Sequence, residues 1–297
     1  MPEKQIASNK HVAREISYSY SAATRGGRAL IRVMENATGR LKLIRRAQGY
    51  ETEVAQGRDF WEVMTERYGL SLNIIGGSLD NIPRTGPLVL IANHPFGILD
   101  GLIMGRILSE VRGDFHILAH QVFRKAEDLN KVILPISFDE TRDAMALNLQ
   151  TRKTAVRALS QGGAIGVFPG GTVSTSAKPF SQPMDPYWRS FTARMVARSD
   201  AQIVPVYFCG HNSRVFQLAS HLHYTLRMGL LIKEFKARTN KPVDLVIGEP
   251  IPQSALQPYI HDARAMMDFL RRETYGLSPE PMSDPGYGFE FEDRYRQ

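Results

Sequence analysis

Short apolar runs alternate with longer amphipathic stretches along most of the chain from about residue 84 onward. Apolar runs of roughly 4–8 residues are typical of buried strands, and apolar positions at three- and four-residue steps are typical of helices. This alternation predicts an α/β fold with a mostly parallel central sheet flanked by helices. The predicted strands are 87–92, 114–119, 132–138, 164–168, 202–208 and 243–247, and the predicted helices are 99–112, 121–130, 142–160, 187–198, 213–236 and 254–275.

The N-terminal part of the chain has a different pattern, in which apolar residues at helical spacing are interleaved with cations. Residues 11–47 are predicted to be helical, with breaks at Gly26-Gly27 and Thr38-Gly39. A basic amphipathic helix can lie in an anionic lipid interface, but it can also pack its apolar stripe on the main domain and leave its arginines in water. The stripe consists of Ala29, Leu30, Val33, Met34, Ala37, Leu41 and Ile44.

Charge is concentrated in this N-terminal region. Residues 1–50 contain ten Lys/Arg and three Asp/Glu, a net charge of +7 that equals the net charge of the whole chain. The remaining residues therefore sum to zero. We predict three parts: a basic amphipathic helical region over 1–60 that forms a membrane-docking hairpin, an α/β domain over 61–276, and a proline-containing C-terminal tail over 277–297.

The composition, 43% hydrophobic and 23% charged residues, is that of an ordinary folded protein. The single cysteine, Cys209, cannot form an internal disulfide, and no N-terminal stretch has the apolar core of a signal peptide, which predicts a cytoplasmic setting. No run approaches the roughly 18–20 apolar residues that a membrane-spanning helix needs. We therefore expect any membrane contact to be peripheral and from one side.

A histidine and an aspartate flank a turn that directly follows the strand predicted at 87–92. His94 stands at the strand end, and Asp100 stands at the start of the next helix. A carboxylate can hold one ring nitrogen while the other faces a cleft, which is the arrangement of a general base at neutral pH. Taken alone, two such residues are more often a turn histidine and a helix cap than a catalytic pair.

A second turn, with Pro169, Gly170, Gly171 and Thr172, follows the strand predicted at 164–168. Its glycines let the backbone approach a ligand closely, and successive N–H groups can bind an anion or a developing oxyanion. By itself this is more often an ordinary glycine-rich turn. Two such loops favour a site, because ligands collect at the strand ends of an open parallel sheet.

Four blocks in order, NHPFGILDG, VFRKAEDLNKVILP, VFPGGTVS and IVPVYF, resemble the successive motifs of the glycerophospholipid (PlsC-type) acyltransferase family, over about residues 60–275. The forms NHPxGxxDG and FPGGxxS are most similar to its branch of hemolysin-like and lyso-ornithine-lipid acyltransferases. The resemblance implies that 61–276 is an acyltransferase domain. It implies an O-acyltransferase that moves a fatty acyl chain from acyl-ACP or acyl-CoA to the hydroxyl of a lysolipid, at the cytoplasmic face of a bacterial inner membrane.

The resemblance also implies roles for individual residues. His94 is the base that deprotonates the acceptor hydroxyl and Asp100 orients it, so that the alcohol attacks the thioester directly and no covalent acyl-enzyme forms. Five residues separate the two, one more than is usual in the family. The candidates for the oxyanion and acceptor loop are Gly170, Gly171 and Thr172, and the substrate-binding candidates are Asn93, Phe96, Gly97, His211 and, in the second family block, Phe123, Arg124 and Lys125.

The third block departs from the family's common form, FPEGTRS, whose Glu and Arg are associated with the acceptor's phosphate. This chain has Gly170 and Val173 at those positions. Loss of a fixed guanidinium removes a bidentate phosphate partner. The departure favours a lyso-aminolipid acceptor with an ornithine-like head group, and the alternative is a 1-acylglycerol-3-phosphate acyltransferase that makes phosphatidic acid.

Other classes of function fit less well. A hemolysin-like lipid hydrolase needs a nucleophile, and the chain has no G-x-S-x-G motif. A non-catalytic membrane-binding protein does not need His94 and Asp100. No zinc spacing, helix-turn-helix or RNP-type pattern indicates nucleic-acid binding, and Gly162-Gly163 precedes its strand, which is unlike a dinucleotide site. We expect no metal and no cofactor, with the acyl thioester as co-substrate.

Overall fold

The computed structural model describes residues 17–22, 24–120, 127–137, 141–280, 282 and 286–291. Its helices are α1 (Arg25–Thr38), α2 (Arg40–Ala47), α3 (Tyr50–Ala55), α4 (Phe60–Tyr68), α5 (Ile98–Val111), α6 (Glu127–Asn130), α7 (Arg142–Ser160), α8 (Ser190–Val196), α9 (Arg214–Leu222), α10 (Tyr224–Arg238), α11 (Gln253–Leu256) and α12 (Ala263–Tyr275). Its strands are β1 (Ser71–Gly76), β2 (Leu88–Ala92), β3 (Phe115–His120), β4 (Ile133–Ile136), β5 (Ala164–Val167), β6 (Thr175–Ser176), β7 (Pro183–Met184), β8 (Gln202–Phe208) and β9 (Pro242–Ile247).

Seven strands form one central sheet in the order β1-β9-β8-β2-β5-β3-β4. The five strands from β8 to β4 are parallel, whereas β9 runs antiparallel to β8 and pairs in parallel with β1. Apolar side chains of α5 and α10 pack on one face, and those of α7, α8 and α12 pack on the other. The predicted class, a mostly parallel sheet flanked by helices, is confirmed, and the six predicted strands are present.

The hydrophobic pattern does not predict the other three strands. β1 is an edge strand whose residues alternate between exposed and partly buried, so it lacks the continuous apolar run of a central strand. β6 and β7 pair as a two-residue antiparallel hairpin, which is too short to show a period. This hairpin holds the segment that follows the glycine-rich turn.

Two predicted helices are each divided in the structure. The helix predicted over 213–236 consists of α9 and α10, which meet at His223, an extended residue with φ of −163° that caps α10 through its side chain. The helix predicted over 254–275 is interrupted before Asp262, which caps α12. Hydrophobic spacing does not reveal these breaks, because apolar residues continue on both sides of each. Within the helix predicted over 121–130, residues 121–126 lie outside the described residues.

The N-terminal helices contribute to the same core as the sheet. The break expected at Gly39 is present between α1 and α2, where a φ of +145° favours glycine. The break expected at Gly26-Gly27 is wrong, because both residues lie in the first turn of α1, which Thr24 caps by accepting a hydrogen bond from Gly27 N–H. The α1 helix packs along α10 and buries Ile31 against it.

The apolar stripe expected on α1 and α2 divides between two surfaces. Met34 and Ile44 are partly buried against the core. Leu30, Val33 and Leu41 face outward instead, and Val33 is 64% exposed. These helices therefore present an apolar surface to the surroundings in addition to the one that packs on the domain.

The carboxyl ends of β2, β5 and β8 meet at one edge of the sheet, because these three neighbours are parallel. Every residue of β2 is buried, and the strand lies between the other two. The segment 93–97 therefore begins at the middle of this edge, with the glycine-rich turn after β5 beside it. The topology brings together the two motifs that the sequence places 70 or more residues apart.

The described part of the C-terminal tail binds across the β6–β7 hairpin. Gly288 N–H donates to the carbonyl of Asp185 at 2.9 Å, and Phe289 N–H donates to the carbonyl of Thr175 at 3.0 Å. Arg189 and Glu290 form a bidentate pair at 2.9 and 2.8 Å. Residues 286–291 are therefore anchored on the surface of the domain.

Close packing between α4 and α5 generates a stability prediction. A methyl group at Gly105 would lie 2.1 Å from Cε3 of Trp61, whereas one at Gly101 of the same helix would meet nothing within 4 Å. Gly105→Ala should lower the free energy of unfolding by about 1–3 kcal/mol through overpacking. Gly101→Ala should leave it unchanged or raise it by up to about 1 kcal/mol, since alanine favours helices. Urea unfolding of both variants measures the difference, and equal stabilities would contradict this packing.

Candidate active site

His94 and Asp100 come together at the end of β2. Nδ1 of His94 lies 2.9 Å from Oδ2 of Asp100. This pair is close, but it does not meet the geometric criteria of a hydrogen bond, so its contact is electrostatic. The Asp100 side chain is fully buried in the first turn of α5, whereas His94 keeps 19% of its side chain exposed. With Nδ1 turned to the carboxylate, Nε2 is the ring nitrogen left for a substrate.

A tight turn holds the carboxylate in place. Oδ2 of Asp100 also accepts hydrogen bonds from the N–H groups of Phe96 at 2.8 Å and Gly97 at 3.0 Å. Among the described residues Oδ1 has no hydrogen-bond partner, although it is buried. Burial raises the pKa of Asp100, and the neighbouring His94 and the two N–H groups oppose the rise. The hydrogen bonds of the turn therefore hold the Asp100 carboxylate in a buried position where a negative charge is unfavourable. In this position the carboxylate lies beside the imidazole of His94 and orients the ring.

The segment after β5 packs directly against the imidazole. The ring of Phe168 stacks on that of His94, with ring centres 4.4 Å apart. Ser174 N–H donates to the His94 carbonyl at 2.8 Å. The histidine is thus held on its ring face and at its backbone by the same loop.

The three residues expected to form the oxyanion loop have different surroundings. Gly171 and Thr172 line the same cavity as His94. Gly171 uses its N–H within the turn, donating to the Phe168 carbonyl at 3.1 Å. Gly170 is packed against the next buried carboxylate, where a methyl group would lie 3.3 Å from its side chain.

That carboxylate belongs to Asp185, which no sequence motif indicates. Its Oδ1 accepts hydrogen bonds from His94 N–H at 3.2 Å and from the Ser174 hydroxyl, and its Oδ2 accepts one from Trp188 Nε1 at 2.9 Å. The side chain is completely buried. Asp185 therefore joins the loop after β2 to the loop after β5.

Arg227 on α10 is a second residue that the motifs do not indicate. Its buried guanidinium donates to the Thr172 hydroxyl at 3.0 Å, the Val173 carbonyl at 2.8 Å, the Thr175 hydroxyl at 2.5 Å and the Ser220 hydroxyl at 3.1 Å. These partners are all neutral, and burial lowers the pKa of Arg227 to about 10. A cation thus contacts the loop at Val173, the position that corresponds to the arginine of the FPEGTRS form. The only feature of the sequence that could indicate a role for Arg227 is the position of a basic residue on an apolar face of its helix.

His94 opens into a cavity of about 710 Å³, within the usual range of ligand pockets. Its polar lining includes, besides His94, the side chains of His120, Thr172 and Arg227. The rest is largely apolar, which suits a ligand with a polar group and a hydrocarbon chain. The apolar lining includes Trp61, Ile98, Leu102, Ile117, Leu129, Ile133, Met228 and Leu231.

The N-terminal segment completes the cavity wall, which the sequence does not predict. Tyr18 and Tyr20 both line the cavity, and the Tyr18 hydroxyl accepts a hydrogen bond from Ile98 N–H at 3.3 Å. Buried Glu35 of α1 anchors the segment by accepting hydrogen bonds from the Ser17 hydroxyl at 2.6 Å and Tyr18 N–H at 2.5 Å. Burial raises the pKa of Glu35, and these two bonds oppose the rise.

Of the substrate-binding candidates around His94, Gly97 lines the cavity. The side chain of Asn93 exchanges two hydrogen bonds with the backbone of Phe208, at 3.0 and 2.7 Å, and so joins the ends of β2 and β8. Phe96 is buried and does not line the cavity. Asn93 and Phe96 therefore position the site rather than contact a ligand in the cavity.

Of the other substrate-binding candidates, His211 is not among the residues that line the cavity. His211 is exposed after β8, where its Nδ1 lies 2.9 Å from the Asn212 carbonyl. Phe123, Arg124 and Lys125 lie outside the described residues. In the part of the chain that the structure describes, no group of three or more His, Cys, Asp or Glu side chains is arranged to hold a metal ion.

The chain is similar in sequence to known acyltransferases. The family model described as Acyltransferase matches residues 75–209. A lyso-glycine lipid O-acyltransferase of Phocaeicola vulgatus is 25% identical over 205 residues, which covers 66% of this chain and 70% of the relative. A lyso-glycine lipid O-acyltransferase of Bacteroides thetaiotaomicron is 22% identical over 209 residues, which covers 68% and 74%. The crystal structure of the 1-acyl-sn-glycerophosphate acyltransferase PlsC from Thermotoga maritima covers 94% of this chain and 99% of its own, at 18% identity and a TM-score of 0.43.

The region that the family model matches contains His94, Asp100 and the glycine-rich turn, which the fold brings together at one edge of the sheet. The resemblance carried by the four sequence blocks is confirmed. Residues 75–209 therefore form an acyltransferase-family domain that is similar to lysolipid O-acyltransferases, and the protein is an enzyme of the acyltransferase class.

Proposed function

We propose that the protein transfers a fatty acyl chain from acyl-ACP or acyl-CoA to the hydroxyl group of a lysolipid, with His94 as general base. The observation that carries the proposal is the His94–Asp100 pair in the wall of a cavity that is lined by both polar and apolar side chains. A lysolipid suits such a lining, because it combines a hydroxyl and a polar head group with a hydrocarbon chain.

The proposed reaction needs one proton acceptor and no protein nucleophile. Nε2 of His94 removes the proton of the acceptor hydroxyl, and the alcohol oxygen attacks the thioester carbonyl. The tetrahedral intermediate collapses to the new ester and expels the thiolate, which takes the proton from the imidazolium. Asp100 stabilises the transient imidazolium from the Nδ1 side and keeps Nε2 directed at the substrate.

The negative charge that develops on the thioester carbonyl oxygen must be stabilised by hydrogen-bond donors close to it. The backbone N–H of Thr172 is the proposed oxyanion donor, since Thr172 lines the cavity, Gly171 uses its own N–H in the turn and Gly170 packs against Asp185. Arg227 supports this donor by bonding the Thr172 hydroxyl and by placing a positive charge beside the loop. A fixed cation and fixed dipoles stabilise an oxyanion more strongly in a partly dry cavity than they would in water.

The proposed acceptor is a lyso-aminolipid, with an ornithine-like or other amino-acid head group. Two observations support it: the two curated relatives act on a lyso-glycine lipid, and Val173 replaces the arginine associated with phosphate binding. The guanidinium of Arg227 at the same loop favours an acceptor that carries negative charge. A 1-acylglycerol-3-phosphate acceptor is therefore the second candidate to assay.

Hydrolysis by a cysteine nucleophile is disfavoured by the surroundings of Cys209. Burial raises the pKa of the Cys209 thiol to about 11, so little thiolate is present at neutral pH. Its side chain packs beside Tyr207 and Met184 rather than in the catalytic cavity. Release of fatty acid without an acceptor would nevertheless identify a hydrolase in the assays below.

Peripheral binding at the cytoplasmic face of the inner membrane is the proposed location of the reaction. No helix among the described residues is long and apolar enough to cross a bilayer. The outward apolar residues of α1 and α2 lie among exposed cations, including Arg25, Lys42 and Arg45. This combination suits an anionic lipid surface.

A second apolar surface lies on α9, next in sequence to a residue that lines the cavity. On α9 the exposed apolar residues share one helical face, beside Phe180, whose carbonyl accepts a hydrogen bond from Arg214. Tyr224, at the start of α10, lines the cavity and is also exposed. A membrane held against this surface would place lipid next to the cavity. The exposed α9 residues are Val215, Leu218 and Leu222.

His94→Ala should lower turnover by at least about 100-fold, because proton removal by a positioned base contributes roughly that much. The assay offers acyl-CoA or acyl-ACP to the purified protein with a lyso-aminolipid or 1-acylglycerol-3-phosphate, and mass spectrometry detects the diacyl product. His261→Ala removes an exposed histidine on the loop before α12 and serves as the control. Near-normal turnover by His94→Ala would rule out the general-base role.

Asp100→Asn should lower the activity of the enzyme without lowering its stability. Turnover should fall at least about tenfold, since the amide can accept the two backbone hydrogen bonds but has no charge to stabilise the imidazolium. Because burial raises the pKa of Asp100, its contribution to stability is greatest when it is protonated and falls as pH rises through the folded-state pKa. At neutral pH the variant should therefore unfold at the same or a higher urea concentration. Loss of both activity and stability would indicate a structural role.

Val33→Ser combined with Leu222→Ser should weaken binding to anionic phospholipid vesicles at least about tenfold, because each side chain buries apolar area worth roughly 1.5–3 kcal/mol. These residues are 64% and 77% exposed, so the fold should tolerate the change. Ile75→Ser, on the edge strand β1, removes a similarly exposed apolar residue away from the cavity. Co-sedimentation measures binding, and equal loss in this control would refute a specific membrane surface.

A further inference from the structure

A second cavity, of about 310 Å³, lies between α7 and α8 on the face of the sheet opposite to the catalytic cavity. We call it the α7–α8 groove. Its lining includes Asn148 and Arg152 of α7 and Phe191 and Arg194 of α8. None of the sequence motifs extends into α7 or α8, and the mechanism proposed above uses no residue of either helix.

The groove joins the catalytic cavity at the carboxyl edge of the sheet. Both cavities are lined by Leu118, Ile136, Phe168 and Gly171. The shared Phe168 ring is the one that stacks on His94, with ring centres 4.4 Å apart. A ligand that lies in the groove and crosses this edge would therefore reach the general base from the side opposite to the apolar cavity.

The groove is basic. Among the described residues, the charged groups that act on Arg152 are Arg194 and Arg198, and burial of Arg152 together with these positive charges lowers its pKa. Among the described residues, no carboxylate is paired with Arg152 or Arg194. Cations that face one another without an acidic partner repel, so an anion bound between them would be stabilised.

The groove is also apolar along one side. Met145 and Leu149 of α7 line it and are 60% and 46% exposed, an unusual position for two large apolar side chains on one helix face. A ligand that fits both features has an anionic group joined to a flexible chain of modest polarity. Acyl thioester donors have this construction, because a pantetheine chain links the thioester to a phosphate.

We propose that the α7–α8 groove binds the phosphopantetheine arm of the acyl donor, with Arg152 and Arg194 on its phosphate and the thioester passing over Gly171 to His94. This inference rests on the acyl transfer proposed above. It assigns the two substrates to opposite faces of the sheet: the lysolipid occupies the apolar cavity, and the donor enters from the groove. Coenzyme A and acyl carrier protein both present this arm, and the experiment includes both.

The test compares donors that have and lack the phosphate. The double variant Arg152→Gln with Arg194→Gln should raise KM for acyl-CoA or acyl-ACP about tenfold and leave kcat nearly unchanged. KM for an acyl N-acetylcysteamine thioester, which lacks the phosphate, should stay the same. Arg157→Gln removes an exposed arginine of α7 that does not line the groove and serves as the control. An equal rise in KM for all donors, or no rise, would overturn the proposal.

A binding measurement separates failure of this inference from failure of the proposed function. Calorimetric titration of the wild type and the double variant with coenzyme A, and with holo acyl carrier protein, needs no turnover. Weaker binding by the variant supports the groove even if no acceptor is acylated, in which case the proposed transfer is wrong. Active protein whose affinity for both probes is unchanged by the double substitution means that the groove is not the donor site.

Discussion

The contact between the buried Asp100 carboxylate and the His94 imidazole is the interaction on which the active site depends. Burial makes the charged carboxylate unfavourable, yet two backbone N–H groups and the imidazole, 2.9 Å away, hold it in place. A histidine that is oriented in this way keeps one ring nitrogen on the carboxylate and the other toward the cavity. The chain turns sharply at Gly97, which has a φ of +84°, between the end of β2 and the start of α5. This turn lets Asp100, in the first turn of α5, reach back to His94.

The rest of the site stabilises the surroundings of that imidazole. Phe168 covers one ring face, while Asp185 bonds the His94 backbone and the loop after β5 at the same time. Arg227 holds the following residues of that loop from α10. Two buried charges of opposite sign thus fix a loop that has little secondary structure of its own, which keeps its N–H groups preorganised for a developing oxyanion.

The sheet edge explains how two substrates can meet at one base. Parallel strands carry their loops to the same edge, and helices on both faces leave a cavity on each side of it. The catalytic cavity is largely apolar and is lined in part by Tyr18, whereas the lining of the α7–α8 groove includes arginines. Phe168 and Gly171 line both, so the two cavities meet at the loop that supports His94.

The sequence by itself determined the α/β class, six of the seven strands of the main sheet and the positions of His94 and Asp100, because each depends on patterns within a short window of residues. Continuous apolar runs mark strands that are buried on both faces, and the NHPFGILDG block contains both members of the pair. Only the tertiary structure reveals the contacts of Asp185, Arg227 and Tyr18. It also shows that the side chain of Asn93, a candidate substrate contact from the sequence, bonds the backbone of Phe208. The partners of these residues are up to 115 positions away, and no local period records which distant side chains meet when helices and strands pack.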